Sequence, residues 1–331
     1  MKHLRSWSAL MAVTVGGTLA CVGDSPNPDS PAPDAGTNGG DGGSPLDSGA
    51  PSDSGGTTDA DAAPVRCDPK SAFATIVAVP GVSTTDVTVT FARLTADERT
   101  IYFAQNPKGD ITARLRYGTR MSTTDPFGSF ADVPGLLAPP DAGTTYIDSA
   151  PAISADDRVL YWVSTRYSPT SPRIWTASRT ATGSGSPFTN PAVVAGIPTT
   201  PVAYVPFTIG TGQVLYFNRG TPSKIYRAVA SGAAFGSAAE VDLGGEAEYA
   251  AVSPDDLVIY FSSDRGGGAN SLDVYVATRK SANDAFDPPV KVADLSSSDP
   301  TDAVTWVSAD YCRVYLFHAA EGKLLVATRS P

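Results

Sequence analysis

The stretch AAVSPDDLVIYF, residues 250–261, contains the phrase that decides the fold of this chain. An apolar strand runs into a serine, a short polar turn follows, and a second strand carries an apolar–tyrosine–apolar triplet. The phrase occurs four more times, beginning at Phe91, Pro151, Val205 and Val304. The aligned tyrosines, separated by 59, 55, 44 and 55 residues, are Tyr102, Tyr161, Tyr216, Tyr260 and Tyr315. A repeat of this length, built from short strands, predicts the blades of a β-propeller.

Each repeat continues into a third and a fourth predicted strand. The third strand ends in arginine in four repeats, at Arg120, Arg179, Arg279 and Arg329, and a phenylalanine leads the fourth strand. Alternating apolar and polar residues with many β-branched and aromatic side chains favour strands throughout. The sequence therefore predicts an all-β fold, a single β-propeller of five blades with four strands each.

The fifth repeat ends at Pro331 without a fourth strand, and the missing phrase stands at the other end of the domain. The segment SAFATIVAVPGV, residues 71–82, matches the fourth-strand phrase and precedes the first blade. We expect this N-terminal strand to complete the last blade and close the ring, which removes exposed sheet edges. Cys67 lies just before the closing strand and Cys312 in the last blade, so we expect a disulfide between them; two unpaired buried thiols are the alternative.

The first 21 residues have the pattern of an export signal. Lys2 and Arg5 precede an apolar stretch over residues 7–15 that is too short to span a bilayer. The small and apolar residues before Cys21 resemble a bacterial lipoprotein signal, although Thr18 stands where that family usually has leucine. The resemblance implies that Cys21 is lipidated and anchors the mature chain in the outer membrane, facing the periplasm or the cell surface. An ordinary secretory signal is the alternative.

Residues 22–66 form a segment of different composition between the signal and the propeller domain, residues 67–331. The segment contains eight Asp and one Arg, is rich in Gly, Ser and Pro, and has no aromatic residue. Such a composition cannot bury enough apolar surface to offset the entropy of ordering, so it predicts a disordered tether. The chain has a net charge of −10 and no cluster of basic residues, which argues against nucleic acid as a partner.

The repeat resembles the WD40-like β-propeller repeat of the TolB type. In the fourth repeat the matching residues are Ser253-Pro254-Asp255, Ile259-Tyr260-Phe261, Ser263-Asp264-Arg265-Gly266 and Asp273-Val274-Tyr275. The second repeat matches well, the first, third and fifth more weakly, and the third lacks the turn aspartate. The resemblance covers residues 71–331 and implies a propeller, but this fold hosts binding modules, scaffolds and enzymes alike.

Four acidic residues come just before or at the start of the predicted innermost strands, which line the central channel: Asp86, Asp148, Glu248 and Asp302. If they converge at the channel mouth, they could bind a cation. They could also form the carboxylate pair of a glycoside hydrolase, as in some five-bladed hydrolase families. A solvated acidic rim is the third possibility. We predict no cofactor and no resident metal, because the domain has one histidine, His318, and its two cysteines are expected to pair.

These features predict a non-enzymatic, monomeric envelope lipoprotein whose propeller binds an envelope protein, a peptide or a glycan. A carbohydrate-active hydrolase with its carboxylates at the channel mouth is the alternative, and a purely structural spacer is a third. An exposed Trp175 or Trp306 at the channel rim would favour a sugar ligand. The turn aspartates Asp97, Asp156, Asp255 and Asp310 recur in register and are expected to be structural.

Overall fold

The computed structural model describes residues 65–82, 87–107, 113–136, 146–168, 170–266, 272–296, 302–318 and 323–330. The predicted signal, the predicted tether up to residue 64 and the candidate Asp86 lie outside the described residues. Within these ranges the regular structure consists of 21 β-strands and one short 3-10 helix, Ala293–Leu295. No helix in the same ranges combines the length and the apolar character that crossing a membrane requires.

The strands form five antiparallel sheets, which are the five predicted blades. Blade one contains β2 (Val87–Leu94), β3 (Thr100–Pro107), β4 (Arg114–Thr119) and β5 (Gly128–Asp132). Blade two contains β6 (Asp148–Ile153), β7 (Val159–Ser164), β8 (Arg173–Ser178) and β9 (Thr189–Val193). Blade three contains β10 (Ala203–Ile209), β11 (Val214–Arg219), β12 (Lys224–Ser231) and two short outer strands, β13 (Ala234–Phe235) and β14 (Ala239–Glu240). Blade four contains β15 (Glu248–Val252), β16 (Val258–Ser263), β17 (Asp273–Thr278) and β18 (Val290–Lys291).

Blade five is completed by the N-terminal strand, as predicted. It contains β19 (Asp302–Val307), β20 (Arg313–His318), β21 (Lys323–Thr328) and, outermost, β1 (Thr75–Ala78). Strand β1 runs antiparallel to β21, with Thr75 opposite Thr328. The innermost strands β2, β6, β10, β15 and β19 each contact the next, and β19 contacts β2. The fold is therefore a closed five-bladed β-propeller.

The predicted disulfide between Cys67 and Cys312 is present. The two Cα atoms lie 5.1 Å apart and the bond spans 245 residues of sequence. The amide of Cys67 also donates a hydrogen bond to the carbonyl of Asp310, at 2.9 Å. The bond thus fastens the closing strand to the turn of the blade that it completes.

The polar turns between the first and second strands share one hydrogen-bond pattern, which confirms a structural role for their aspartates. In blade two, the hydroxyl of Ser154 donates to the carboxylate of Asp156 at 2.6 Å and accepts from the amide of Val159 at 2.9 Å. The same hydroxyl–carboxylate bond joins Thr95 to Asp97, Ser253 to Asp255 and Ser308 to Asp310. The side chains replace backbone partners that a tight turn leaves unpaired.

The repeated tyrosines connect neighbouring blades. The hydroxyl of Tyr102 in blade one donates to the carboxylate of Asp157 in blade two at 3.0 Å and accepts from Arg179 at 2.9 Å. Asp157 also forms an ion pair with Arg179, whose side chain is 1% exposed. The same arrangement occurs twice more, as Tyr315–Glu98–Arg120 between blades five and one and as Tyr216–Asp256–Arg279 between blades three and four. The third-strand arginines of these junctions are therefore buried partners of an acid.

At the two remaining junctions a backbone carbonyl replaces the acid. The hydroxyl of Tyr161 donates to the carbonyl of Gly212 at 2.8 Å, and that of Tyr260 donates to the carbonyl of Pro69 at 3.0 Å. Arg329 also donates to Pro69, at 2.8 Å. The fold thus contains three charged junctions and two carbonyl junctions.

In four blades, the phenylalanine that leads the fourth-strand phrase packs against the arginine of its own blade. The Arg179 guanidinium lies 4.4 Å from the ring centre of Phe188, and equivalent pairs join Arg120 to Phe127, Arg279 to Phe286 and Arg329 to Phe73. Such cation–π contacts are strongest where they are desolvated. Phe188 also sets the spacing to blade one, because a Cβ on Gly135 would lie 1.9 Å from its carbonyl oxygen. Gly135 has φ +85°, so this position requires glycine on both counts.

Candidate functional site

The mouth face is the face of the disc where the innermost strands begin and the second strands end. Asp148, Glu248 and Asp302 are the first residues of β6, β15 and β19, so all three lie at this end of their blades. Their registers differ. Asp148 and Asp302 come thirteen residues before the tyrosine of their blade, whereas Glu248 comes twelve residues before Tyr260. Because side chains alternate along a strand, Glu248 leaves its blade on the other side.

Asp148 is held by its own blade. Its carboxylate forms an ion pair with Arg166 at 2.5 Å and accepts a hydrogen bond from the indole of Trp162 at 3.1 Å. The residue is 3% exposed. Burial raises the pKa of Asp148, while the hydrogen bond and charge of Arg166 act in the opposite direction. The arginine neutralises this carboxylate within the fold.

Glu248 lies between blades three and four among polar groups of both. Burial raises the pKa of Glu248 to about 7, and the charge of Glu246 acts in the same direction. A hydrogen bond with Ser223, the residue that accepts the hydroxyl of Tyr204 at 2.8 Å, opposes that shift. The charge of Asp264, an exposed residue just after β16, also raises the pKa of Glu248. Glu248 is therefore an acid that can exchange a proton near neutral pH.

Asp302 lies beside the single histidine of the domain. The Nε2 atom of His318 is 3.8 Å from a carboxylate oxygen of Asp302, which is 1% exposed as a residue. The backbone carbonyl of Asp302 accepts the hydroxyl of Ser262 from blade four at 2.7 Å. This pair therefore belongs to the junction between blades four and five. In the described part of the chain, no group of three or more His, Cys, Asp and Glu side chains is placed to hold a metal ion.

Below the mouth, the channel is crossed by side chains. The rings of Phe91 in blade one and Tyr249 in blade four have their centres 5.6 Å apart. Blades one and four are not neighbours in the ring, so this contact can form only across the central channel. Phe91 and Tyr249 pack together with Val205 of blade three and Ala303 of blade five in one apolar cluster. The channel is thus filled beneath the carboxylates.

The tryptophans of the domain are mostly structural. Trp162 is fully buried, and Trp306 is 8% exposed and packs edge-on against Tyr315 at 5.7 Å. Trp175 is half-buried, with its ring centre 6.2 Å from that of Trp162. The exposed aromatic residue on this rim is Tyr167, which is 72% exposed. Its ring lies 5.7 Å from the guanidinium of Arg173.

Arg173 also borders a groove between blades two and three. The groove is shallow: its empty volume of about 220 Å³ includes open solvent, and it is lined by Pro172, Arg173, Ile174, Val193, Val194, Ile197, Pro198, Thr199 and Ala203. Val193 is 38% exposed, although it is apolar. On the blade-three side, Arg219 donates to the carbonyl of Thr200 at 2.7 Å. The groove is therefore lined mainly by apolar residues, with Arg173 in its lining and Arg219 bound to the residue that follows the lining residue Thr199.

Sequence analysis did not find three parts of this face. The pairing of Arg166 with Asp148 joins the loop after β7 to the first residue of β6, and the serine–x–arginine phrase of blades two and four was the available signal. The one-residue offset of Glu248 can be counted from the sequence once Tyr260 is taken as the reference. The groove has no sequence signal, because its lining comes from segments whose proximity depends on how blades two and three pack.

No family model and no curated protein matches the sequence. Among solved structures, the chain is similar to TolB from Acinetobacter baumannii, with 13% identity, a TM-score of 0.41 and coverage of 73% of this chain and 54% of TolB. It is also similar to the α-L-arabinofuranosidase PaAbf62A from Podospora anserina, at 11% identity and a TM-score of 0.49, covering 77% and 95% of the two chains. An endo-arabinase from Bacteroides thetaiotaomicron VPI-5482 has 14% identity and a TM-score of 0.49, covering 77% and 97%. At these identities the likeness concerns the propeller fold alone, which binding proteins and glycoside hydrolases share.

Proposed function

We propose that this propeller is a non-enzymatic binding module of the cell envelope and that its ligand is an extended apolar segment of an envelope protein with a carboxylate beside it. The groove between blades two and three carries the proposal. Its lining is mainly apolar and includes Arg173, the exposed Tyr167 lies against Arg173, and Arg219 binds Thr200 beside the lining residue Thr199. Apolar pockets give a bound segment affinity, and arginine gives it a preferred carboxylate position.

The pairing of Asp148 and the filling of the channel support binding over catalysis. Glycoside hydrolysis requires one carboxyl group as acid and a second as nucleophile or base on either side of the scissile bond. Asp148 is neutralised by Arg166, and the cluster of Phe91 and Tyr249 fills the channel below the mouth. The ion pair occupies the Asp148 carboxylate, and the apolar cluster fills the space beneath it, so a sugar would find no open pocket between two free carboxylates there.

Export and anchoring form part of the same proposal. The segment ending at Cys21 resembles a lipoprotein signal, and the disulfide between Cys67 and Cys312 suits an oxidising compartment. Metabolic labelling with an alkyne fatty acid should label the wild-type protein and leave Cys21→Ser unlabelled. Equal labelling of both, or of neither, would contradict the anchor.

Photo-crosslinking in the native envelope tests the groove. A photoreactive phenylalanine at position 167 should give adducts that protease digestion removes, and Arg173→Glu should weaken them. Met121 provides the control, because it is 84% exposed and follows β4 at its end on the opposite face. Equal adducts from positions 167 and 121 would contradict the groove as the binding site. Adducts that survive protease would indicate a glycan instead.

Glu248 favours glycoside hydrolysis as a second candidate function. Its pKa of about 7 suits a general acid. A panel of aryl glycosides, assayed with the wild-type protein and with Glu248→Gln, separates the two functions. We expect no turnover that distinguishes the two proteins. Turnover that the substitution abolishes would establish the hydrolase and overturn the non-enzymatic function proposed for the propeller.

A further inference from the structure

Arg93 is a buried cation on the innermost strand of blade one. The residue is 2% exposed, and its guanidinium lies 5.0 Å from the ring centre of Phe207 in blade three. Blades one and three are not neighbours, so this guanidinium reaches into the central channel, as Phe91 does. Every other buried arginine described above, at the blade junctions, faces an acid or a carbonyl.

The donors of Arg93 are incompletely used. Nη1 donates to the carbonyl of Ala92 at 3.3 Å. Nε and Nη2 are buried and have no hydrogen-bond partner within the part of the chain that the structure describes. These two N–H groups are the side-on fork of the guanidinium, which points two parallel donors at one acceptor. Burial lowers the pKa of Arg93 to about 9, so the group remains charged at neutral pH.

Strand register gives the level of Arg93 in the ring. The residues paired with the five repeated tyrosines lie at one level: Arg93, Ala152, Phe207, Ala251 and Trp306. Of the other four, Phe207 has its ring against the guanidinium, and none carries a charge that could balance Arg93. A buried, uncompensated charge costs several kcal/mol, and a bound counter-ion removes most of that cost.

The level of Arg93 lies between other layers of side chains. On the mouth side, the contact of Phe91 with Tyr249 crosses the channel. On the other side, the residues two positions further along each strand are all buried: Thr95, Ser154, Ile209, Ser253 and Ser308. Because Arg93 itself is only 2% exposed, a small ion enclosed as the ring closes suits it better than a large ligand that carries a carboxylate or phosphate.

We propose that the channel holds a small inorganic anion of the size of chloride, bound by Nε and Nη2 of Arg93, as a structural ion of the propeller. The anion supplies the counter-charge that the blade junctions obtain from Glu98, Asp157 and Asp256. It binds the closed ring and not the unfolded chain, so it links the stability of the ring to the anion in solution.

Bromide diffraction tests the site directly. Crystals of the full chain grown in sodium bromide should show an anomalous peak within hydrogen-bond distance of Nε and Nη2 of Arg93. Crystals of Arg93→Met under the same conditions should lack it. A wild-type channel that contains only water, or a peak that persists in Arg93→Met, would overturn the proposal.

Thermal unfolding gives a second readout that requires no crystals. At constant ionic strength, replacing sodium gluconate by sodium chloride should raise the Tm of the full chain by about 5 °C. Arg93→Met should have a Tm that does not depend on which anion is present. Arg158→Met, at an exposed position outside the channel and the groove, is the control and should retain the wild-type dependence. A wild-type Tm that is equal in the two salts would overturn the proposal even if the Arg93 variant failed to fold.

Discussion

The junction between blades one and two and the junction between blades two and three use the same tyrosine position with different partners. At the first, Tyr102 joins a buried ion pair of Asp157 and Arg179. At the second, Tyr161 donates to the carbonyl of Gly212, and neither acid nor arginine occupies the equivalent positions. One turn position has left-handed backbone in all five blades, at Glu98, Asp157, Gly212, Asp256 and Tyr311. The backbone conformation of this turn residue is therefore the same at every junction, whereas the group that accepts the tyrosine hydrogen bond differs.

The difference shows what an acid at this position contributes. A buried arginine at a junction needs acceptors, because an uncompensated buried charge is costly. An acid supplies them at three junctions, whereas backbone carbonyls supply them to Arg329 between blades four and five. The junction between blades two and three has no arginine and needs only one neutral hydrogen bond, so it should tolerate changes to which the charged junctions are sensitive.

The largest effect is expected for Asp157→Asn. Asparagine keeps the size of the side chain and tolerates the φ of 58°, so the substitution removes the charge alone and leaves Arg179 uncompensated. We expect a loss of about 3–5 kcal/mol in the free energy of unfolding, measured by urea denaturation. Asp156→Asn in the same turn is the control, since Asp156 bonds locally to Ser154; it should cost about 1 kcal/mol. Equal costs for the two variants would contradict a special role for the junction acid.

The carbonyl junction between blades four and five should depend on the disulfide. Cys67 fixes the segment whose Pro69 carbonyl accepts hydrogen bonds from Tyr260 and Arg329. Replacing both cysteines by serine should cost about 2–5 kcal/mol, because the bond closes a loop of 245 residues. Hydrogen exchange should then increase first in β1 and β21. If exchange increased equally in all five blades, the disulfide would act on the whole ring instead of this junction.

The junction between blades three and four extends the comparison of junction acids, because it has an acid at each end and only one of them is paired with arginine. At the turn end, Asp256 is paired with Arg279 and Arg227. At the mouth end, burial and Glu246 raise the pKa of Glu248 from 4.5 to about 7. The folded state therefore holds this proton more tightly than the unfolded state.

The resulting stability is fully present below about pH 4.5 and is lost as the pH rises through about 7, to a total of about 3 kcal/mol. Glu248→Gln stays neutral, so we expect it to match the wild type at pH 4 and to exceed it in stability at pH 8. Urea denaturation at the two pH values measures the difference. A variant that was less stable than the wild type at pH 8 would show that the ionised carboxylate is stabilising.

The smallest effects are expected from removing single hydroxyl groups. Tyr161→Phe removes one neutral hydrogen bond to Gly212 and should cost about 1 kcal/mol. Tyr102→Phe removes bonds to the charged groups of Asp157 and Arg179 and should cost about 2–3 kcal/mol. The two substitutions delete the same atom at equivalent positions, so urea denaturation of both compares the junctions directly. Equal costs would mean that the buried ion pair does not strengthen the tyrosine bond.

Much of the fold could be predicted because it follows from short sequence patterns that recur in each blade. Strand alternation, the turn aspartates and the tyrosine spacing identify the blades, and the fourth-strand phrase at residues 71–82 identifies the closing strand. The residue after each turn aspartate was missed, although a signal existed. It is acidic at Glu98, Asp157 and Asp256, and a third-strand arginine is present in each of these blades.

The candidate site was less predictable. The four acids were chosen for their position before the innermost strands, and the structure describes three of them. Asp148, Glu248 and Asp302 lie at the mouth end, but each has different neighbours: Arg166, Glu246 and His318. Which side chains surround a strand end depends on loops and on the neighbouring blade, and neither follows from the spacing of residues along one strand.

The sequence by itself determined the number of blades, the strand that closes the ring and the turns, because each follows from repeated phrases of residues close in the chain. It also determined the disulfide, because the domain has two cysteines and one lies beside the closing strand. Only the tertiary structure decided the contents of the channel and the groove between blades two and three. Phe91 meets Tyr249, and Arg93 meets Phe207, because ring closure brings non-adjacent blades together across the axis. No local pattern encodes such contacts, since they depend on the diameter of the ring and on the packing of all five blades at once.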